Sequence, residues 1–132
     1  MIVIDASALA AIVLREPTWR ELVRYLRRAV SVDYVVKEVA NAIWRATYVR
    51  KILSIDDARY TLSILYKLVN TNIELYPELD LVPQAMEIAF SKGIALYDAL
   101  YIALAIDRRI PLLSLDEKQR RVARELGSEV LP

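Results

Sequence analysis

The chain opens on the stretch Ile-Val-Ile-Asp-Ala-Ser-Ala-Leu, residues 2–9, which carries the pattern of the whole fold. Three β-branched residues predict a short strand that ends at Asp5, and a helical run of small and apolar residues follows at once. A strand so short and so apolar is typical of a parallel sheet buried on both faces. The order of strand followed by helix recurs along the rest of the chain.

Further short strands alternate with helical segments. They are predicted at residues 29–32, 73–76, 111–113 and 129–131. The longest helical pattern covers residues 34–51, and the most apolar one covers residues 97–106 and should be buried. This alternation predicts an α/β fold with three layers, α/β/α, around a short parallel sheet. No linker, repeat or low-complexity segment divides the chain, so we expect a single domain over residues 1–132.

Turn and cap residues predict where several helices begin and end. Asp33 is a good N-cap for the helix that follows the second strand. Ser54 with Asp57 resembles a capping box and opens a helix to about residue 68. Gly93 stands where a helix C-terminus needs a left-handed residue.

Composition narrows the possible chemistry. The chain contains no Cys and no His, so thiolate catalysis, Cys-based zinc sites and imidazole acid-base chemistry are excluded. Two glycines cannot build a Gly-rich phosphate loop. The net charge of +1 provides no strong field for a polyanion, so any nucleic-acid function must depend on a local site. The side chains left for catalysis are those with carboxylate or hydroxyl groups, together with Lys, Arg and Tyr.

The most informative carboxylates stand at junctions between elements. Asp5 follows the first strand, Asp98 opens the buried helix, and Asp116 follows the fourth strand. Glu38 lies inside a helix, with Asn41 one turn later on the same face. Ligands of open parallel sheets collect at the carboxyl ends of strands, so Asp5 and Asp116 would share one rim if their strands are neighbours. For each aspartate alone, N-capping is a simpler role, and Glu38 alone fits a solvated helix face.

Four stretches of the chain resemble the signature blocks of one known family. They are residues 2–9, 38–42, 97–105 and 112–116, which read IVIDASAL, EVANA, YDALYIALA and LLSLD. These blocks resemble those of PIN domains, most closely of the VapC-type toxin ribonucleases, in the same order and at similar intervals. The resemblance covers essentially the whole chain and implies a sheet of order 3-2-1-4-5.

The resemblance also implies the site. Its acidic quartet corresponds to Asp5, Glu38, Asp98 and Asp116, and its supporting polar positions to Ser7, Asn41 and Ser114. Many relatives have Thr in place of Ser114, which keeps the hydroxyl. The quartet implies a bound Mg²⁺ or Mn²⁺ and endonucleolytic cleavage of RNA that leaves a 5′-phosphate. Basic residues flank the acidic blocks and are candidates for phosphate contacts: Arg15, Lys37, Arg45 and Lys118.

The family resemblance and the surface of one helix both predict binding partners. The family implies a homodimer and an antitoxin whose segment occludes the acidic site. The helix after Ser54 carries two apolar stripes, one formed by Ala58, Leu62, Leu65 and Val69 and the other by Tyr60, Ile64 and Leu68. One stripe can face the core, and the second predicts a homodimer or an inhibitor groove unless neighbouring helices bury both.

Other interpretations of the sequence are open. A PIN-like fold can serve RNA processing, or act as a catalytically silent interaction module. An Asp after the first strand also fits a phospho-acceptor, but that site needs a second Asp nearby or a Lys after a later strand, and here Ala6 and Ser7 follow Asp5. No stretch is long enough to span a membrane, and no basic leader precedes the first strand, so we expect a cytoplasmic protein.

Overall fold

A five-stranded parallel sheet forms the centre of the computed structural model, which describes residues 1–132. Its strands are β1 (Ile2–Ile4), β2 (Ala29–Val32), β3 (Ile73–Tyr76), β4 (Leu112–Leu113) and β5 (Val130–Leu131). Their order is β3-β2-β1-β4-β5. Val3 in β1 pairs with Val30 on one side and with Leu112 on the other. The predicted α/β class and the strand order 3-2-1-4-5 are confirmed.

Helices cover both faces of this sheet. They are α1 (Ala6–Val13), α2 (Trp19–Leu22), α3 (Tyr34–Trp44), α4 (Ile55–Thr71), α5 (Val82–Lys92), α6 (Leu96–Arg108) and α7 (Glu117–Glu125). Crossovers between parallel strands are right-handed, so the helices change face where the strand order reverses after β3. Accordingly α1 packs on α3 and α3 on α4, whereas α6 packs on α5 and α7.

The central helix α6 is the most deeply buried element outside the sheet. All residues from Ala99 to Ala105 are buried, and α6 contacts β1, β2 and β4. Burying a large aliphatic side chain such as Leu100 or Leu104 stabilises a fold by about 1.5–3 kcal/mol. This packing holds the start of α6, and with it Asp98, firmly against the carboxyl ends of the central strands.

One predicted capping contact and one predicted helix end were wrong. Asp33 has a helical backbone and does not cap α3; its Oδ1 instead accepts a hydrogen bond from the backbone N of Glu78, at 3.0 Å. The helix predicted over residues 34–51 is regular only to Trp44, and residues 45–49 form a π-helical turn. There the amide of Arg50 returns to the carbonyl of Arg45, five residues back. Such a wide turn depends on packing, so the spacing of apolar residues along the sequence does not predict it.

Two other predicted helix signals, at Ser54 and Gly93, are confirmed. The Ser54 hydroxyl accepts a hydrogen bond from the backbone N of Asp57 at 3.0 Å and begins α4. Gly93 has φ of +67° and ends α5. A residue with a side chain would be strained in this left-handed conformation.

The two apolar stripes of α4 do not divide into one buried and one exposed stripe. The face toward the core takes Leu65 from the first stripe and Ile64 and Leu68 from the second, beside the buried Thr61. Tyr60 from one stripe remains 64% exposed and Leu62 from the other 37% exposed. No single helix is long and apolar enough to cross a bilayer; α5 and α6 reach that length only together, across a bend of 114°.

Candidate active site

The candidate site lies at the carboxyl ends of β1 and β4, the two strands at the centre of the reversal in strand order. Asp5 directly follows β1, and its backbone N donates to the carbonyl of Leu113 at the end of β4, at 3.1 Å. Asp116 comes three residues after Leu113. The rim predicted for Asp5 and Asp116 therefore exists because β1 and β4 are neighbours.

Asp5 is the most buried acid of the chain, with 2% of its surface exposed. Its Oδ1 accepts a hydrogen bond from the backbone N of Ala8 at 2.9 Å and so caps α1. The Ser7 hydroxyl lies 2.7 Å from Oδ1, and the Ser114 hydroxyl donates to Oδ2 at 2.5 Å. Burial nevertheless dominates and raises the pKa of Asp5 from 3.8 to about 6, against the lowering effect of these hydrogen bonds. The carboxyl is thus fixed in place and poorly solvated.

Glu38 lies on a different element from Asp5, and a residue of another helix fixes its side chain. It is half-buried in α3, and its Oε1 accepts a hydrogen bond from the Tyr101 hydroxyl of α6 at 2.5 Å. Burial raises the pKa of Glu38, the Tyr101 hydrogen bond lowers it, and the charges of Asp98 and Asp5 raise it further. Glu38 is therefore not simply a solvated charge on the helix surface.

Asp98 and Asp116 differ in what they do for their helices. Asp116 caps α7, since its Oδ1 accepts from the backbone N of Gln119 at 2.9 Å. Asp98 was expected to open α6, and this was wrong: Ala95 is the N-cap residue, and Asp98 lies in the first turn without a capping bond. Burial raises the pKa of the Asp98 carboxyl, the charge of Asp116 adds to the effect, and Lys118 and Gln119 oppose it.

All four acids of the predicted quartet line one cavity of about 260 Å³. Ser7, Tyr101 and Gln119 also line it, so its surface is rich in oxygen. None of the four carboxyl groups forms a salt bridge with a cation of the protein. No three of them come close enough to form a ready ligand set for a metal. The cavity therefore combines uncompensated acids with room for water or an ion among them.

The three supporting polar residues divide into two groups. Ser7 and Ser114 both bond to Asp5, and their oxygens also accept from the backbone N of Leu115 and Asp116, at 2.9 and 3.1 Å. They join the ends of β1 and β4 into one rigid rim. Asn41 is exposed and does not line the cavity, so the structure does not bring it to the acids.

The flanking basic residues differ in where they lie relative to the acids. Lys118 is close enough to lower the pKa of Asp98. Arg45 is exposed in the π-helical turn after α3, and Lys37 lies over the ring of Tyr34 at 5.8 Å. Arg15 follows the far end of α1, about 15 Å along the helix from Asp5 at 1.5 Å per residue, and does not line the cavity.

Sequence reasoning missed two polar residues of the cavity, Tyr101 and Gln119. Each lies three residues after an acid of the quartet, Asp98 and Asp116 respectively, and so on the same face of its helix. That spacing was the available signal. It was hidden because Tyr101 looked like one more core residue and Gln119 like part of a polar surface helix.

Comparison with known proteins gives a consistent family. The PIN domain family matches residues 2–125. Ribonuclease VapC3 of Pyrobaculum aerophilum is 30% identical over 134 residues, which cover 99% of this chain and 98% of that protein. In fold, the chain is similar to VapC20 of Mycobacterium tuberculosis, a sarcin-ricin loop cleaving toxin, with a TM-score of 0.70 and 19% identity over 100% of both chains. It is also similar to VapBC2 of Rickettsia felis bound to a DNA fragment from their promoter, with a TM-score of 0.66 and 15% identity over 100% of both chains.

Proposed function

Since this chain belongs to the PIN-domain family, in which it is similar to VapC-type ribonucleases, we propose that it is a metal-dependent endoribonuclease and the toxin of a toxin–antitoxin pair. One observation carries the proposal: Asp5, Glu38, Asp98 and Asp116 line a single cavity without a cation of the protein bound to any of them. The reaction is the hydrolysis of an RNA phosphodiester bond.

The donor set of the cavity supports a hard divalent ion, Mg²⁺ or Mn²⁺. The charge of Asp98 raises the pKa of Glu38, and the charge of Asp116 raises that of Asp98, so these carboxylates repel one another and a bound cation would relieve the repulsion. The acids stand too far apart to form a complete ligand set on their own, which suits Mg²⁺ because this ion keeps several waters and binds through one or two carboxylates. We assign Asp5, Asp98 and Asp116 to the ion, directly or through water. When bound, the ion would offset phosphate charge and acidify a water molecule.

Glu38 is the residue we assign to the proton of the attacking water. The Tyr101 hydroxyl occupies its Oε1, which leaves Oε2 free to accept that proton. Partial burial raises the pKa of Glu38 toward neutrality, and this makes the carboxylate a stronger base. The water oxygen bonds to phosphorus as the P–O3′ bond breaks, and the leaving O3′ oxygen takes a proton from solvent water, which leaves a 5′-phosphate and a 3′-hydroxyl.

A cleavage assay tests this function directly. The wild-type protein should cut a labelled single-stranded RNA with Mn²⁺ or Mg²⁺ and lose this activity in excess EDTA. Asp116→Asn should lose more than 100-fold in rate, whereas Asp80→Asn, an exposed aspartate outside the cavity, should cut like the wild type. Undiminished cleavage in EDTA would contradict the metal, and cleavage by Asp116→Asn at the wild-type rate would contradict the site.

An antitoxin partner is part of the same proposal. An apolar groove of about 360 Å³ between α3 and α4 is lined by Ile43, Trp44, Tyr48, Ile55 and Leu62, among others. Half of the Trp44 surface and 72% of the Tyr48 surface are exposed, and their rings stack at 5.5 Å. Exposed apolar patches of this kind mark interaction surfaces. We assign the groove to an apolar segment of the antitoxin. In co-purification with the cognate antitoxin, Leu62→Asp should lose complex formation but keep nuclease activity; an intact complex would contradict the assignment.

The homodimer is best supported by a second apolar surface, on α5. Phe90 is 73% exposed and Met86, one turn earlier, is 37% exposed. Sedimentation velocity of the toxin alone should give a dimer at micromolar concentration, and Phe90→Glu should shift it to the monomer. Glu87→Gln, on the exposed side of the same helix, should not. A wild-type monomer would contradict the homodimer.

A further inference from the structure

Two tyrosine rings lie beside the acidic cavity without lining it. Tyr34 is the first residue of α3, and Tyr97 lies in the first turn of α6. Their ring centroids are 6.1 Å apart with 44° between the planes, a separation within the range that aromatic pairs prefer. Tyr34 is partly buried against the core, whereas Tyr97 is 49% exposed. The pair thus presents one ring to solvent with a second ring packed next to it.

The place of this pair follows from the contact that joins the same two helices. The Tyr101 hydroxyl of α6 donates a hydrogen bond to Glu38 of α3. On α3, Tyr34 precedes Glu38 by four residues, and on α6, Tyr97 precedes the donor of that bond by four. Residues four apart share one face of a helix, so the aromatic pair lies one turn, about 5.4 Å, from the contact. Tyr97 also directly precedes Asp98, another acid of the cavity.

Exposure alone does not give an aromatic side chain a role, since Tyr60 of α4 and Phe90 of α5 are exposed as well. The pair beside the cavity differs in its surroundings. The ammonium group of Lys37 lies 5.8 Å from the ring centroid of Tyr34, is exposed and forms no salt bridge. Unpaired bases of RNA stack on aromatic side chains, and their phosphates attract basic ones. Two rings and a free cation, one helical turn from the acids, are therefore suited to a nucleotide next to the bond that is cut.

We propose that Tyr97 is a substrate-binding residue whose ring stacks on the unpaired base of a nucleotide that flanks the scissile phosphate, with Tyr34 holding that ring in place. The proposal rests on the proposed function, because it requires an RNA phosphate at the four acids. Stacking tolerates every base, since every base has a π face. Tyr97 therefore selects unpaired over paired nucleotides and does not read the sequence.

A titration of protein against RNA under single-turnover conditions tests this subsite. With Mg²⁺ and a short single-stranded RNA that is cut at one bond, the protein concentration that gives half the maximal rate measures RNA affinity. Tyr97→Leu keeps apolar bulk but removes the ring, so this concentration should rise about 10-fold, within the range found when stacking residues are removed. Tyr97→Phe restores the ring and should recover the lost affinity. Tyr66→Leu, the same change at an exposed tyrosine of α4, is the control and should leave RNA affinity as in the wild type.

Removing a base from the RNA separates stacking from a structural effect of the substitution. At one of the two positions that flank the cut bond, an abasic nucleotide should weaken binding by the wild type about 10-fold. Tyr97→Leu should weaken the binding of this abasic RNA no further, because both changes remove the same contact.

The remaining outcomes distinguish this subsite from the nuclease itself. If Tyr97→Leu binds intact RNA as tightly as the wild type, or weakens intact and abasic RNA equally, the ring does not stack on a base and the inference is overturned, while the nuclease site stands. If only the maximal rate falls, Tyr97 acts on the acids and not on the base, which also overturns the inference. If the wild type cuts no RNA, the proposed function and the subsite are refuted together.

Discussion

The buried carboxyl of Asp5 makes the stability of the metal-free protein depend on pH in a direction opposite to that of most aspartates. Asp→Asn at this position removes the charge but keeps a residue suited to capping α1. The stability of the wild-type protein relative to Asp5→Asn should therefore fall as pH rises. The metal must be absent for this effect, because a bound cation would compensate the charge.

The size of the effect follows from the pKa of Asp5. The folded pKa of about 6 lies above the ordinary value of 3.8, and a difference of one in pKa corresponds to about 1.4 kcal/mol. The raised pKa thus contributes about 3 kcal/mol of stability below pH 3.8, which is lost as the pH rises through about 6. For 132 residues, with an unfolding entropy of about 2.1 cal/mol/K per residue, 3 kcal/mol corresponds to a change of about 10 °C in Tm.

Urea unfolding in EDTA measures this directly, with the fluorescence of Trp19 and Trp44 as the signal. Between pH 4.5 and 7.5 at constant ionic strength, the free energy of unfolding of wild-type protein should decrease by about 2 kcal/mol relative to Asp5→Asn, because about 1 kcal/mol is already lost below pH 4.5. Asp107→Asn, an exposed aspartate of α6, should run parallel to the wild type. A difference between wild type and Asp5→Asn that does not change with pH would refute the argument from burial.

Three further predictions concern the other residues of the site. Asp98→Asn should reduce cleavage more than 100-fold while Tm in EDTA stays equal or rises, because Asp98 makes no capping bond; a clear fall in Tm by scanning fluorimetry would favour a structural role. Tyr101→Phe should lower kcat about 10-fold, as is typical for weakened acid-base catalysis. It should also move the acid limb of the pH–rate profile upward, because the hydrogen bond that lowers the pKa of Glu38 is lost; an unmoved limb would show that Tyr101 does not act through Glu38. Neutralising Arg45 and Lys118 together should reduce the slope of log affinity for RNA against log salt by about 1–2, and an unchanged slope would exclude phosphate contacts by both.

Local patterns in the sequence were sufficient for the fold class. Alternation of short apolar runs with helical periodicity predicts the α/β class, because both signals arise within about ten residues. Because the chain has no His and no Cys, carboxylates are its main candidates for catalysis and metal binding. Their positions at junctions between elements predicted that Asp5 and Asp116 share one edge of the sheet. Resemblance in four blocks supplied the strand order and added Glu38, whose place inside a helix gives no signal by itself.

The surroundings of each acid required the tertiary structure. Tyr101 and Glu38 are 63 residues apart in sequence, and Ser114 and Asp5 are 109 apart, yet each pair is joined by a hydrogen bond. The fold also left Asn41 outside the cavity and brought Gln119 into it. The sequence determined which elements form and which residues carry charge, because these depend on neighbours along the chain. Only packing decided which acid is buried, which acid caps a helix and which polar atom lacks a partner, because these depend on contacts between distant segments.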